Sequence, residues 1–125
     1  MNVYVTSTRQ PEKIARWCKL GLRHRVHFRN DEGMLEEWYG RPEGIKCMAI
    51  TFFKGEPIGI AVVLKRGWRP CPLVAPVNFG VYTKSNYRRQ GIGTELVRRC
   101  ERLLGYPVRG DQWDRQATAF YRSVA

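Results

Sequence analysis

Acidic residues are scarce in this chain. Eleven Asp and Glu stand against twenty-two Lys and Arg, a formal net charge of +11. That imbalance implies a polyanionic partner, nucleic acid or an acidic protein face, or else a solvated basic surface that partly serves an anionic cofactor. The basic residues are spread over 9–29, 65–69, 88–102 and 109–122, so charge alone leaves both readings open. Long apolar runs are missing as well. The longest near the middle, Ile60-Ala61-Val62-Val63-Leu64, is far short of the ~20 residues that span a bilayer, so no membrane partner is expected. No basic-then-apolar segment opens the chain, so a secretory signal is not expected either. Metal-ligand spacing is lacking too. Cysteines 18, 47, 71 and 100 form no C-x-x-C pair, and only His24 and His27 could supplement them, which argues against zinc or another metal. Such wide spacing fits reduced thiols in the cytoplasm, with Cys47 and Cys100 as core residues. No repeat or low-complexity stretch is present, and 125 residues correspond to a single domain, 1–125, around one core.

What is present reads as alternating strands and helices. Val3 and Val5 alternate with polar neighbours in a short opening strand. Pro11 suits the first turn of a helix whose stripe is Ile14, Trp17, Cys18 and Leu22, with a break expected at Gly21. The basic stretch 23–29 carries no clear pattern. Asn30 or Asp31 can cap a short helix reaching Tyr39, with Met34, Leu35 and Trp38 inward. After a turn at 40–44, residues 45–53 and 58–64 form two strands, joined by the hairpin Lys54-Gly55-Glu56-Pro57. Their near-continuous apolar character marks them as central strands. A fourth strand is expected over about 74–83 and an amphipathic helix over 93–104, with 92, 96, 97, 100, 103 and 104 on its apolar face. Residues 107–110 are a candidate fifth strand, and Asp114 can cap a last helix through Tyr121. The whole is an α/β (α+β) arrangement, a mixed, mostly antiparallel central sheet flanked by helices.

The segment between the fourth strand and the amphipathic helix carries the chemistry. Arg88, Arg89, Gln90, Gly91, Ile92, Gly93 and Thr94 form a basic, Gly-rich turn opening a helix. Unpartnered N–H groups and the macrodipole make such an end electropositive, and the glycines allow close approach, so the turn is a candidate phosphate or pyrophosphate site. It is not a dinucleotide fingerprint: Leu96 stands where a third glycine would fall. Nor is it a P-loop, since G-K-[ST] is absent.

Tyr87-Arg88-Arg89-Gln90-Gly91-Ile92-Gly93 closely resembles the acetyl-CoA signature, Arg/Gln-x-x-Gly-x-Gly/Ala, of the GCN5-related N-acetyltransferase (GNAT) superfamily. Residues 52–61 look like that family's second hairpin. Asp114, Ala117 and Tyr121 fall on its Asn-x-x-Ala-x-x-x-Tyr segment. The resemblance spans roughly residues 45–121, and the order of elements before it agrees. It implies a GNAT-like fold and acetyl-CoA as cosubstrate. The amides of Gln90, Gly91, Ile92, Gly93 and Thr94 would hold the pyrophosphate, with Arg88 and Arg89 as charge support. The backbone of Val81, Tyr82 and Thr83 would pair with pantetheine where two parallel strands splay apart. Asp114 and Ala117 would complete the cofactor site, and Tyr121 would protonate the departing thiolate, which suits a phenol of pKa ~10.

This chain departs from the family pattern in three places. Asp114 replaces an amide side chain. The sequence given stops at Ala125, before the usual final strand hairpin, so a sheet edge open to a partner or to a second copy in a homodimer is expected. The fourth strand holds no carboxylate, so the general base is unassigned among Glu36, Glu37, Asp111, His24 and His27. The reaction implied is acetyl transfer to an amine in a ternary complex. A basic, lidless protein suits a macromolecular acceptor such as an acidic protein's lysine or N-terminus, or an aminoacyl-tRNA. The competing class is a shortened, catalytically weak or inactive GNAT-fold module binding CoA, nucleic acid or an acidic protein.

Overall fold

The computed structural model describes residues 1–27, 34–65 and 79–108. Among these residues the sheet has four strands in the order β1 (Val3–Ser7), β2 (Ile45–Phe53), β3 (Glu56–Leu64), β4 (Phe79–Thr83), each antiparallel to its neighbour. Helices α1 (Pro11–Arg23) and α2 (Met34–Tyr39) cover one face, and α3 (Ile92–Leu104) covers the other.

This layering follows from the strand sequences. β2 and β3 bury nearly every side chain, because successive residues point to opposite faces and both faces are covered. Met48, Ile50, Ile60 and Val62 pack under α1 and α2, while Cys47, Ala49, Ala61 and Val63 pack under α3. A register shift between Thr51 and Phe52 places Ile58 with the α3 cluster as well. The hairpin loop is shorter than the four residues expected. Glu56 and Pro57 belong to β3, leaving Lys54 (φ 51°) and Gly55 (φ 81°) as a two-residue turn with both residues left-handed. That conformation matches the twist of paired strands, and the pairing therefore continues to Phe53 and Glu56.

α1 starts with Pro11 as expected and buries Ile14, Trp17, Cys18 and Gly21, a stripe at helical spacing. Two expectations for it change. Leu22 is exposed, and Leu20 packs on the core instead. The helix also runs through Gly21, whose role is to let Tyr39 approach: a Cβ there would lie 2.6 Å from the Tyr39 ring. The break comes at Arg25, which takes a left-handed φ of 54°. Val26 N–H then bonds Gly21 C=O (2.9 Å) and Arg25 N–H bonds Leu22 C=O (3.3 Å), a Schellman closure with buried Val26 as its apolar anchor. The Tyr39 hydroxyl donates to Val26 C=O at 2.7 Å, tying α2 to the end of α1.

α3 has the expected apolar face in Ile92, Leu96, Val97 and Cys100, with Leu104 packed at its margin, but Leu103 is exposed. Gly105 (φ 81°) ends it. Cys47 and Cys100 are both core residues, as expected. The neighbouring Cys47 thiol, then burial, raises the Cys100 thiol far above the usual range. Residues 107–108 form no strand; Val108 N–H is held by the Glu101 carboxylate at 2.9 Å. The expected strand residues 74–78, the capping residues Asn30 and Asp31, and the last helix lie outside the described residues. Among the described residues, no helix is long and apolar enough to cross a membrane.

Candidate functional site

The Gly-rich turn is fastened at both ends. Lys84 N–H bonds Ile58 C=O (2.8 Å), fixing the exit of β4, and a 3-10 turn over Ser85–Tyr87 reverses the chain. Arg89 (φ 65°) and Gly91 (φ 76°) both take left-handed backbone, and the chain enters α3 at Gly91. A Cβ on Gly91 would meet nothing within 4 Å, so conformation and open approach, rather than crowding, favour glycine there. The first turn of α3 rests directly on β3: a Cβ at Gly59 would lie 3.1 Å from Leu96 and 3.2 Å from Ile92. Gly91 C=O accepts the first helical bond, from Glu95 N–H at 3.0 Å, and no side chain caps the helix. The amides of Gly91, Ile92, Gly93 and Thr94 thus gather at a rigidly seated, electropositive helix end. Glu95 puts a carboxylate in the same first turn, and Arg99 pairs with it at 3.0 Å, offsetting its charge.

β4 presents the second half of the site. The Lys84–Ile58 bond fixes the phase of the antiparallel ladder. Gly80 and Tyr82 turn their N–H and C=O groups toward β3, while Phe79, Val81 and Thr83 turn theirs to the outer edge. Val81 and Thr83 are therefore positioned for backbone pairing with an extended ligand. Tyr82 contributes its ring, packed beside the α1–α2 cluster. Arg88 links the two halves: its Nε donates to Thr83 C=O at 2.9 Å, and its guanidinium lies 5.2 Å from the Tyr82 ring centroid. Sequence reading assigned Arg88 only to the anion. The tether went unseen because it depends on the fold of the loop, although the Arg–aromatic pair was visible in the sequence. Arg89 and Gln90 are exposed on the turn.

The candidate bases divide by position. Trp38 on α2 packs against Gly80, where a Cβ would lie 2.8 Å from its ring, so α2, with half-buried Glu36 and exposed Glu37, covers β4 on the face opposite α3. His27 meets the Tyr39 ring edge-on at 6.4 Å. His24 closes α1, its backbone N–H on Leu20 C=O at 3.0 Å. Asp111, Asp114, Ala117 and Tyr121 lie outside the described residues.

Several solved structures share this fold. An aminoglycoside antibiotic 6'-N-acetyltransferase from Acinetobacter haemolyticus matches 100% of this chain and 90% of its own at TM-score 0.57 and 18% identity. An aminoglycoside N-acetyltransferase in complex with CoA matches 99% and 86% at TM-score 0.57 and 13% identity. A ribosomal-protein-alanine N-acetyltransferase from Brucella melitensis matches 98% and 82% at TM-score 0.50 and 18% identity. No curated protein sequence matches. The family model described as acetyltransferase (GNAT) family matches residues 9–123. With nearly the whole length matched and the sheet, turn and helix in the expected order, the chain belongs to the acetyltransferase (GNAT) family, enzymes that use acetyl-CoA to acetylate amines.

Proposed function

We propose that the protein passes acetyl directly from acetyl-CoA to an amine on a macromolecule, both substrates being bound together. The observation that carries the donor half is the uncapped α3 N-terminus beside the outer edge of β4. In this reading the amides of Gln90–Thr94 hold the pyrophosphate, with Arg89 adding charge from the turn. Val81 and Thr83 pair with pantetheine, which brings the thioester along β4 toward α2. Pairing at Thr83 C=O requires Arg88 to release it, and the guanidinium is then available to a phosphate.

The reaction balances without a covalent enzyme intermediate. A neutral amine attacks the thioester carbonyl, an N–H donor from the β4 edge stabilises the oxyanion, and the C–S bond breaks. Tyr121 delivers a proton to the leaving thiolate, and Asp114 and Ala117 are assigned to cofactor binding. The proton lost by the amine goes to a carboxylate, Glu36 and Glu37 being favoured because α2 covers β4.

The macromolecular acceptor is supported by the charge of +11 and by α1. Its buried stripe leaves Arg16, Lys19 and Arg23 exposed, with Arg9 exposed just before it and Glu12 as the acid among them. Such a surface suits an amine set among negative charges, on an acidic protein or an aminoacyl-tRNA. Incubating a lysate with labelled acetyl-CoA and resolving protein, RNA and small-molecule fractions by mass spectrometry tests this. Label in protein or RNA is expected, and label confined to small molecules overturns it. A cytoplasmic location and a homodimer through the sheet edge belong to the same proposal, and size-exclusion chromatography with light scattering tests the dimer.

A further inference from the structure

The end of the β2–β3 hairpin carries an aromatic pair that the core covers only on its inner side. Phe53, the last residue of β2, is 48% exposed, and its ring lies 5.6 Å from that of Tyr87 in a tilted pair. Lys54 Nζ sits 5.5 Å from the Phe53 centroid. Tyr87 immediately precedes the Gly-rich turn, and its inner side packs in the cluster that contains Ile92 at the start of α3. An exposed aromatic platform with a cation over it thus stands beside the helix end proposed above to hold the pyrophosphate.

Its place relative to that end matters. Pantetheine leaves the pyrophosphate along the outer edge of β4. The group esterified to the other phosphate must depart elsewhere, and Phe53 lies on the inner side of the turn, two strands in from β4. In CoA that group is adenosine bearing a 3'-phosphate, a flat π-system joined to a dianion. We infer that Phe53 and Tyr87 form the platform on which the CoA adenine stacks, and that Lys54 moves from the Phe53 ring to the 3'-phosphate. Glu56, across the two-residue turn, repels the same phosphate and moderates the affinity. The inference rests on the pyrophosphate lying at the α3 N-terminus, as proposed above.

Calorimetry on the full chain with CoA, dephospho-CoA and 4'-phosphopantetheine separates the parts. Wild type is expected to bind CoA about threefold more tightly than dephospho-CoA, a margin that shrinks with salt. Lys54→Asn, which tolerates the left-handed backbone, should erase the margin, and Glu56→Gln should widen it. Phe53→Ser should weaken both nucleotides about tenfold, as loss of a stacked base does, and leave 4'-phosphopantetheine unchanged. The inference is overturned if Lys54→Asn keeps the preference, or if Phe53→Ser weakens all three ligands equally or none. Gly91→Asp distinguishes the two levels. If it leaves CoA binding intact, the pyrophosphate placement falls, and this inference with it. If it abolishes binding while the Phe53 and Lys54 variants behave as wild type, only the platform falls.

Discussion

Arg88 Nε donates to the carbonyl of Thr83 at 2.9 Å, and this bond closes the Gly-rich turn onto β4. The same guanidinium rests on Tyr82, so one side chain fixes the spacing between β4 and the Gly-rich turn. Arg88→Ala is expected to raise the KM for acetyl-CoA about tenfold, since it removes the guanidinium that a phosphate receives once Thr83 C=O is released. The cost in stability should stay near 0.5–1 kcal/mol because the bond is exposed. Steady-state kinetics with denaturant melts check both. Arg88→Lys should recover little, lacking the planar fork and the stacking face.

Gly91 and Gly105 offer a matched comparison. Both take φ near +80° with open space where a Cβ would stand. Alanine at either should cost about 1 kcal/mol of backbone strain. Gly91→Asp should in addition abolish measurable CoA binding by setting a carboxylate at the anion site, whereas Gly105→Asp should leave it unchanged. Calorimetry alongside thermal melts separates strain from electrostatics.

The C-terminus of α1 carries a removable strain. Arg25 occupies the left-handed position of a Schellman closure, where glycine is the unstrained residue. Arg25→Gly is expected to stabilise the protein by about 1 kcal/mol. Tyr39→Phe works in the opposite direction. It leaves Val26 C=O unpaired in the core and should cost about 1–3 kcal/mol, read by urea unfolding.

Alkaline pH should weaken the fold through the Cys18 thiol. Burial, reinforced by the Glu43 carboxylate, raises it from 9.0 to about 12. A group whose pKa is raised on folding holds its proton more tightly in the native state, so its stabilisation is complete below pH 9 and lost as pH climbs toward 12. Stability should fall by up to roughly 1.4 kcal/mol per pH unit in that window. Tyr39, raised well above 10 by burial, adds to the loss above pH 10. Chemical denaturation at stepped pH should show a shallower slope between 9 and 10 in Cys18→Ala.

Tyr121→Phe tests the proposed acid. CoA affinity should hold while kcat falls about a hundredfold or more, with the loss shrinking for acetyl thioesters whose thiols are more acidic. Equal activity of the two proteins would remove Tyr121 from the chemistry.

The sequence by itself determined the order of the described elements, the two-sided burial of β2 and β3, and the Gly-rich turn that opens α3. Each of these is local, set by apolar periodicity or by glycine and arginine at fixed spacing, and such patterns survive without knowledge of neighbours. The start of α1 at Pro11 and the α3 stripe through Cys100 were legible for the same reason. Tertiary structure decided what depends on contact between distant segments. Gly21 looked like a helix breaker, yet it serves the Tyr39 ring, and the break passes to Arg25, whose residue type gives no warning. The two-residue hairpin appeared only once β2 and β3 paired to their ends. The phase of β4, set by Lys84 on Ile58, chose Val81 and Thr83 over Tyr82 for the outer edge. The meeting of Phe53 with Tyr87 and the closure of Arg88 on Thr83 belong to the same class. Side chains from separate strands and turns come together because the antiparallel sheet delivers their ends to one side, a consequence of topology that no local pattern encodes.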